Sequence, residues 1–330
     1  MSKCDIRLEF DRGNRIYKSG ETVKGLVYVR VNKQVECNVL IIRLFWQTHG
    51  KGTKDSKTLS EKTESASHWE ANQEYTYPFQ FQLPATPLTY HGHYVNIDTY
   101  IQAHVDIPRS RDPDVTEEVL VQPGTEAENE KKDTDPLDLD ASMGRKRKEL
   151  KDFLPNTITS VLVVLGVILV LIYFLPLIGF ILLVALVSLH KEIRSACAEK
   201  RLGTVLVNLE RERVYPGQTF LVRVAFSALQ PVLVEAVYAE VQGQESCSSG
   251  SGTSPSTFNH VLFKENIELR PINQNEYQGK IKIPETDAYS FEAPNNHIKW
   301  TVKIYVKIPR WPDWQKEFPL KVVHMPAAML

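Results

Sequence analysis

The chain has 330 residues, a formal net charge of −1, 42% hydrophobic and 24% charged residues. That length leaves room for about two domains besides any membrane segment, and the near-zero charge excludes the global basic field that holds nucleic acid, so no nucleic-acid partner is expected. Four cysteines (Cys4, Cys37, Cys197, Cys247) stand apart with no CxxC spacing, which argues against zinc, redox-pair and disulfide-scaffold readings.

Residues 1–124 read as short strands between turn signals, an N-terminal β-sandwich. The start, MSKCDIRLEFDRGN, is charged and has no apolar h-region, so no cleavable signal peptide is expected. Asp5 to Phe10 alternates, Lys18-Ser-Gly20-Glu turns the chain, and Thr22 to Val31 alternates again with β-branched residues. Val39 to Trp46, Glu74 to Leu83 and Tyr94 to Ile107 are the next strands; the polar, Lys/Ser/Thr-rich stretch from Gly50 to Trp69 reads as a mobile loop. Many short strands with no 3.6-residue periodicity predict an antiparallel sandwich.

Residues 125–152 are almost all polar and cannot bury enough apolar surface to offset their ordering entropy, which predicts a disordered linker. Its end is basic, with Arg145, Lys146, Arg147, Lys148 and Lys151. A membrane segment is expected over 153–190: from Phe153 to Leu189 no Asp, Glu, Lys, Arg or His occurs, and a helix apolar all round needs hydrocarbon around it. As one helix it would be about 55 Å long, against a hydrocarbon core of about 30 Å. Pro176, followed closely by Gly179, is the natural kink or reversal point. Two forms remain open, a single kinked span and a re-entrant hairpin with both ends on one face. The segment 191–202 is again basic, with Lys191, Arg194, Lys200 and Arg201. Lys/Arg-rich flanks favour the cytoplasmic face, so two basic flanks favour the hairpin.

Residues 203–325 return to short strands, over Thr204 to Leu209, Thr219 to Phe226, Val232 to Val241, Phe263 to Leu269, Tyr277 to Ile283 and Lys299 to Ile308. The Ser/Gly-rich run from Gln244 to Thr257 reads as a flexible loop.

The two β regions repeat. Tyr17-Lys-Ser-Gly20-Glu-Thr-Val23 matches Val214-Tyr-Pro-Gly217-Gln-Thr-Phe220 in pattern, and Phe79 to Pro84 matches Gly279 to Pro284. Tyr100 to Arg109 matches Thr301 to Arg310, each followed by Pro-Asp. Three landmarks in one order at a nearly constant offset indicate a duplicated sandwich. Tyr-x-x-Gly-Glu-x-Val-x-Gly (Tyr17 to Gly25), Phe81-x-Leu83-Pro84 with Pro87 and Gly92, and Tyr100-x-x-x-x-Asp-x-Pro in tandem resemble the arrestin fold in its broad, α-arrestin and retromer Vps26-like sense. The resemblance covers about three quarters of the chain. It implies two side-by-side sandwiches acting as a non-enzymatic adaptor between membrane cargo and trafficking or signalling machinery. The Pro-Pro-x-Tyr element that would imply ubiquitin-ligase binding is missing, and Leu137-Asp-Leu139-Asp is a poor echo of a clathrin-type box.

Catalytic motifs are absent: there is no Ser elbow, HExxH, Walker loop or GxGxxG. His91 and His93 share a face of an extended segment, with His104 as the nearest third ligand. No acidic or Cys set accompanies them in sequence, so no metal, cofactor or catalytic residue is assigned. Trp311 and Trp314 lie in a loop beside Arg310 and Lys316, where they either dip into headgroups or pack on the sandwich. Cys197 has the setting of a palmitoylation site, but the preferred reading is a plain small residue.

The expectation is a mainly β chain, two tandem arrestin-like sandwiches with a helical membrane segment between them. It would be an integral membrane protein with its soluble domains in the cytoplasm. Its expected partners are anionic lipid headgroups, met by Arg145, Lys146, Arg147, Lys148, Lys191 and Arg194 around Pro176, and membrane or peripheral proteins. The alternatives are a module that binds peptides by strand addition and a membrane-bound metal-dependent hydrolase built on His91, His93 and His104.

Overall fold

The computed structural model describes residues 3–108, 112–124, 201–227, 232–250 and 255–325. The first half contains β1 (Cys4–Phe10), β2 (Ile16–Lys18), β3 (Thr22–Val31), β4 (Val35–Gly50), β5 (Ser56–Trp69), β6 (Glu74–Gln82), β7 (Tyr90–His91), β8 (Val95–Asp106) and β9 (Asp114–Gln122). These strands make two sheets, β1-β3-β6 and β2-β9-β8-β4-β5 with β7 paired to β8. The second half contains β10 (Thr204–Leu209), β11 (Arg213–Val214), β12 (Thr219–Ser227), β13 (Ala236–Ser249), β14 (Ser256–Glu268), β15 (Arg270–Asn273), β16 (Glu276–Lys282), β17 (Phe291–Glu292), β18 (Asn296–Lys307) and β19 (Trp314–Val322). Its sheets are β10-β12-β16-β15 and β11-β19-β18-β13-β14 with β17 on β18. Strand for strand, the second half repeats the first and adds only β15. Each half also has one short parallel pair at the same place, β2 with β9 and β11 with β19.

Alternation explains why these segments are strands. In β4, Leu40, Ile42 and Leu44 point inward between partly exposed neighbours, and in β8 the same holds for Ile101, Ala103 and Val105. They meet Val23 and Val27 of β3 and Phe79 and Phe81 of β6 across the first sandwich. In the second sandwich, Val237, Ala239 and Val241 of β13 and Val302, Ile304 and Val306 of β18 meet Phe220 and Val222 of β12. Each such aliphatic or aromatic side chain contributes roughly 1.5–3 kcal/mol by leaving water.

The repeated turn is the same structure twice. Gly20 and Gly217 both have positive φ, 83° and 75°, a conformation that only glycine adopts without penalty. The Gly20 N–H donates to the Leu83 carbonyl at 3.1 Å, and the Gly217 N–H to the Ile283 carbonyl at 3.1 Å. The duplicated, mainly β, tandem-sandwich organisation expected from the sequence is therefore present.

Two expected loops are strands. The stretch from Gly50 to Trp69 holds the end of β4 and all of β5, and the Ser/Gly-rich run from Gln244 to Thr257 carries the end of β13 and the start of β14. Ladder hydrogen bonds to the long strands β4 and β13 impose extended backbone on sequences with little apolar alternation. β9 and β19 are strands that the sequence reading passed over. The expected linker 125–152, the membrane segment 153–190 and all but the end of the basic segment 191–202 lie outside the described residues. Among the described residues, no helix is long and apolar enough to cross a membrane.

Candidate functional site

The two sandwiches meet through an exchange of turns that follows from strand register. Thr48 of β4 stands opposite Ile97 of β8, and Glu245 of β13 stands opposite Ile298 of β18. Since β8 and β18 are the same strand of the repeat, Thr48 and Glu245 occupy equivalent positions. Both point inward at the end of their sandwich, both are 0% exposed, and both are polar. A buried carboxylate needs several hydrogen bonds to stay charged away from water. Glu245 finds them in the other half. It accepts from the Tyr90 hydroxyl at 2.6 Å and from the backbone N–H groups of His93, Tyr94 and Val95 at 3.0, 2.6 and 3.2 Å. Burial and the Glu245 carboxylate together raise the Tyr90 pKa far above the usual tyrosine range, so its proton stays on the shared hydrogen bond.

The reciprocal contact uses Asp55, which precedes β5 and is also buried. Its carboxylate accepts from the Asn295 backbone N–H at 2.9 Å, from the Asn295 side chain at 2.7 Å and from the Asn296 side chain at 2.7 Å. Asn296 also donates to the Thr48 hydroxyl at 2.9 Å and the Thr53 carbonyl at 2.7 Å. Each half thus inserts its β7–β8 or β17–β18 turn into a carboxylate of the other. Both turns close alike, with Gly92 N–H donating to the Val95 carbonyl and Ala293 N–H to the Asn296 carbonyl, each at 3.0 Å. Gly92 is required where it stands, because a Cβ there would lie 2.0 Å from a Glu245 carboxylate oxygen. Around these polar centres, His93 stacks on His260 at 4.2 Å, Lys51 sits 4.1 Å over the Phe258 ring, and Trp46 meets Phe291 edge-on at 5.4 Å.

Beside this seam runs a groove of about 1130 Å³, lined from the first half by Trp46, Leu88 and Tyr90 and from the second by Tyr289, Phe291 and Trp300. Its lining is largely aromatic and aliphatic with a polar rim, the composition of a binding cleft.

The residues singled out in the sequence are dispersed. His93 packs on His260, and His104 lies six residues along β8 from Asp98, about 20 Å at about 3.3 Å per residue. His91, His93 and His104 therefore do not converge. Trp314 opens β19 and is buried in the second core, whereas Trp311 is 42% exposed with the Arg201 guanidinium over its ring at 4.9 Å. Arg145, Lys146, Arg147, Lys148, Pro176, Lys191, Arg194 and Cys197 lie outside the described residues. Cys4, Cys37 and Cys247 are buried; burial pushes the first two up to about 11, which leaves them as unreactive thiols. Glu245 and Asp55 were missed because they sit in polar stretches read as loops. One signal was available for Glu245: it continues the inward parity of Val241 and Gly243.

Comparison with known proteins adds the following. Residues 5–130 match the model of a family described as SpoOM protein. Among solved structures, the chain is similar to Spo0M, a sporulation control protein from Bacillus subtilis, at 17% identity and a TM-score of 0.33. That alignment covers 38% of this chain and 51% of the other, so the likeness spans about half the length of the Spo0M structure. None of the curated proteins matches the chain.

Proposed function

We propose that the chain is a non-catalytic, membrane-tethered adaptor of arrestin-like build, whose two sandwiches form one platform on the cytoplasmic face and offer the groove between them to membrane or peripheral proteins. The reading is carried by the exchanged turns at Glu245 and Asp55. Separating the halves would leave two carboxylates without their buried donors, at a cost of roughly 1–3 kcal/mol for each group left unsatisfied. Two sandwiches that stay joined must lie on one side of a bilayer. The apolar stretch from Phe153 to Leu189 then has to return to the side it left, with Pro176 at the reversal. Arg145, Lys146, Arg147, Lys148, Lys191 and Arg194 would face the same anionic headgroups, each contributing on the order of 1 kcal/mol. Tethering raises the effective concentration of the platform for membrane-bound partners without further contacts.

The native cysteines of the sandwiches are too buried to report topology, so the test uses cysteines introduced at the exposed positions Lys33 and Arg270. In sealed vesicles carrying the full chain, both should react with a membrane-impermeant maleimide from the same side. Labelling from opposite sides would overturn the hairpin and the joined platform together. Failure of both variants to fractionate with membranes would overturn the tether.

A second reading is favoured by one observation: among the described residues, β5 and β14, 14 and 13 residues long, end their sheets with one side unpaired. Such edges accept an extended peptide as a further strand. Proline substitutions along β5 that abolish partner capture while groove substitutions leave it intact would select this reading.

A further inference from the structure

The outer face of the first sandwich carries a cluster that neither the seam nor the groove uses. On β8, Ile97, Thr99 and Ile101 point into the core, which places Asp98 on the outward face. Outward residues on an edge-accessible sheet are ordinarily solvated, yet Asp98 is only 1% exposed. Register shows what surrounds it. His49 of β4 and His91 of β7 both stand opposite Asn96, one outward position along β8, and Glu118 of β9 stands opposite Tyr100, one position the other way. Four strands thus bring two imidazoles and two carboxylates to one spot. The two Asp98 oxygens are divided between the histidines: one pairs with His91 Nε2 at 2.7 Å, the other with His49 Nε2. Asn96 Nδ2 lies 3.3 Å from His49 Nδ1, which fixes that ring with Nε2 as the donor to Asp98. Among the described residues, Asp98 has ion pairs only with these two histidines.

The duplicated fold supplies its own control. Counterparts in the second half, read from the same registers, are Ser246 for His49, Glu292 for His91, Lys299 for Asp98 and Pro319 for Glu118. The sandwich therefore closes without any of the four groups, and the fold does not explain why the first half has them.

We propose that His91, Asp98 and Glu118 bind a divalent transition-metal cation, with His49 holding the second oxygen of Asp98. The donor atoms of the three ligands all lie within 4.8 Å of one another. Nitrogen and carboxylate donors suit Zn²⁺ at about 2.0–2.2 Å from each atom. Mutual separations near ~3.5 Å would follow, so His91 would exchange its 2.7 Å hydrogen bond to Asp98 for the cation and back away slightly, while the exposed Glu118 side chain closes in from within 4.8 Å. The hydrogen bond from His49 to a metal-bound carboxylate is the outer-shell contact that orients such ligands. The cation would tie β7 and β9 to β8 and neutralise a buried carboxylate.

The test is a Zn²⁺ titration of the tag-free full chain in mild detergent, with stoichiometry read by calorimetry and elemental analysis. Saturable binding of one Zn²⁺ per chain is expected, weakened at least tenfold in His91→Ala, whose side chain is on the surface and whose loss leaves the core intact, and in Glu118→Gln. His104→Ala should bind as the wild type does. The Co²⁺-loaded chain should show d–d absorption without a sulfur-to-cobalt charge-transfer band. No stoichiometric Zn²⁺, equal affinity in His91→Ala, or a thiolate band would each overturn the assignment.

Discussion

The two sandwiches share a topology but use equivalent positions differently. At the seam the first half places Thr48, a hydroxyl that accepts from Asn296, where the second half places Glu245, a full carboxylate with four donors from its partner. On the outer face the first half has His49, His91, Asp98 and Glu118, where the second has Ser246, Glu292, Lys299 and Pro319. The difference separates what the fold requires from what has been added to it. Apolar alternation and the Gly20 and Gly217 turns recur because the sandwich cannot close without them. Buried polar groups recur in position but not in type, because each answers to what lies across the seam.

Substitutions can test that separation. The largest effect is expected at Glu245. Glu245→Ala leaves the Tyr90 hydroxyl and several backbone N–H groups buried and unpaired, which should cost about 3–5 kcal/mol. Urea unfolding of the full chain, followed by the tryptophans of both halves, should then split from one transition into two. An unchanged single transition would show that the halves are not joined through this residue.

Gly92→Ala comes next, at about 1–3 kcal/mol, because its Cβ would collide with Glu245. The converse change at its counterpart, Ala293→Gly, should alter the urea midpoint little. Equal losses at the two positions would contradict the asymmetry of the seam.

Thr48→Val should cost about 1–2 kcal/mol, since Asn296 and the Asp55 backbone N–H both lose an acceptor while the shape is kept. The smallest effect concerns His297, next to Asn296 at the seam. Burial first and Lys299 second depress its pKa, and its Nδ1 has no hydrogen-bond partner among the described residues. The unfolded chain therefore takes up the proton first. Stability should be fully present above about pH 6.5 and decline as pH falls from there towards the depressed folded value. His297→Gln should flatten that part of the stability–pH curve.

Much of the fold was legible because alternation survives wherever one face of a strand is buried. Thr204 to Leu209 coincides with β10, and Glu74 to Leu83 departs from β6 by one residue. β5 and the first part of β14 were illegible for the opposite reason: as edge strands they bury few side chains, so their extended form comes from pairing with β4 and β13. The sites lay further out of reach. Asp55 meets Asn295 across 240 positions of sequence, and the His49, His91, Asp98 and Glu118 cluster depends on the register of four strands. Sequence singled out His91 but sought its partners at His93 and His104, along one extended segment rather than across the sheet.

The most direct test of the joined platform is a double-mutant cycle across the seam, with Asp55→Ala and Asn296→Ala made singly and together in the full chain. If Asp55 and Asn296 bond as the 2.7 Å contact indicates, the urea-unfolding free energies should be non-additive by about 1–3 kcal/mol. Strict additivity would contradict the account.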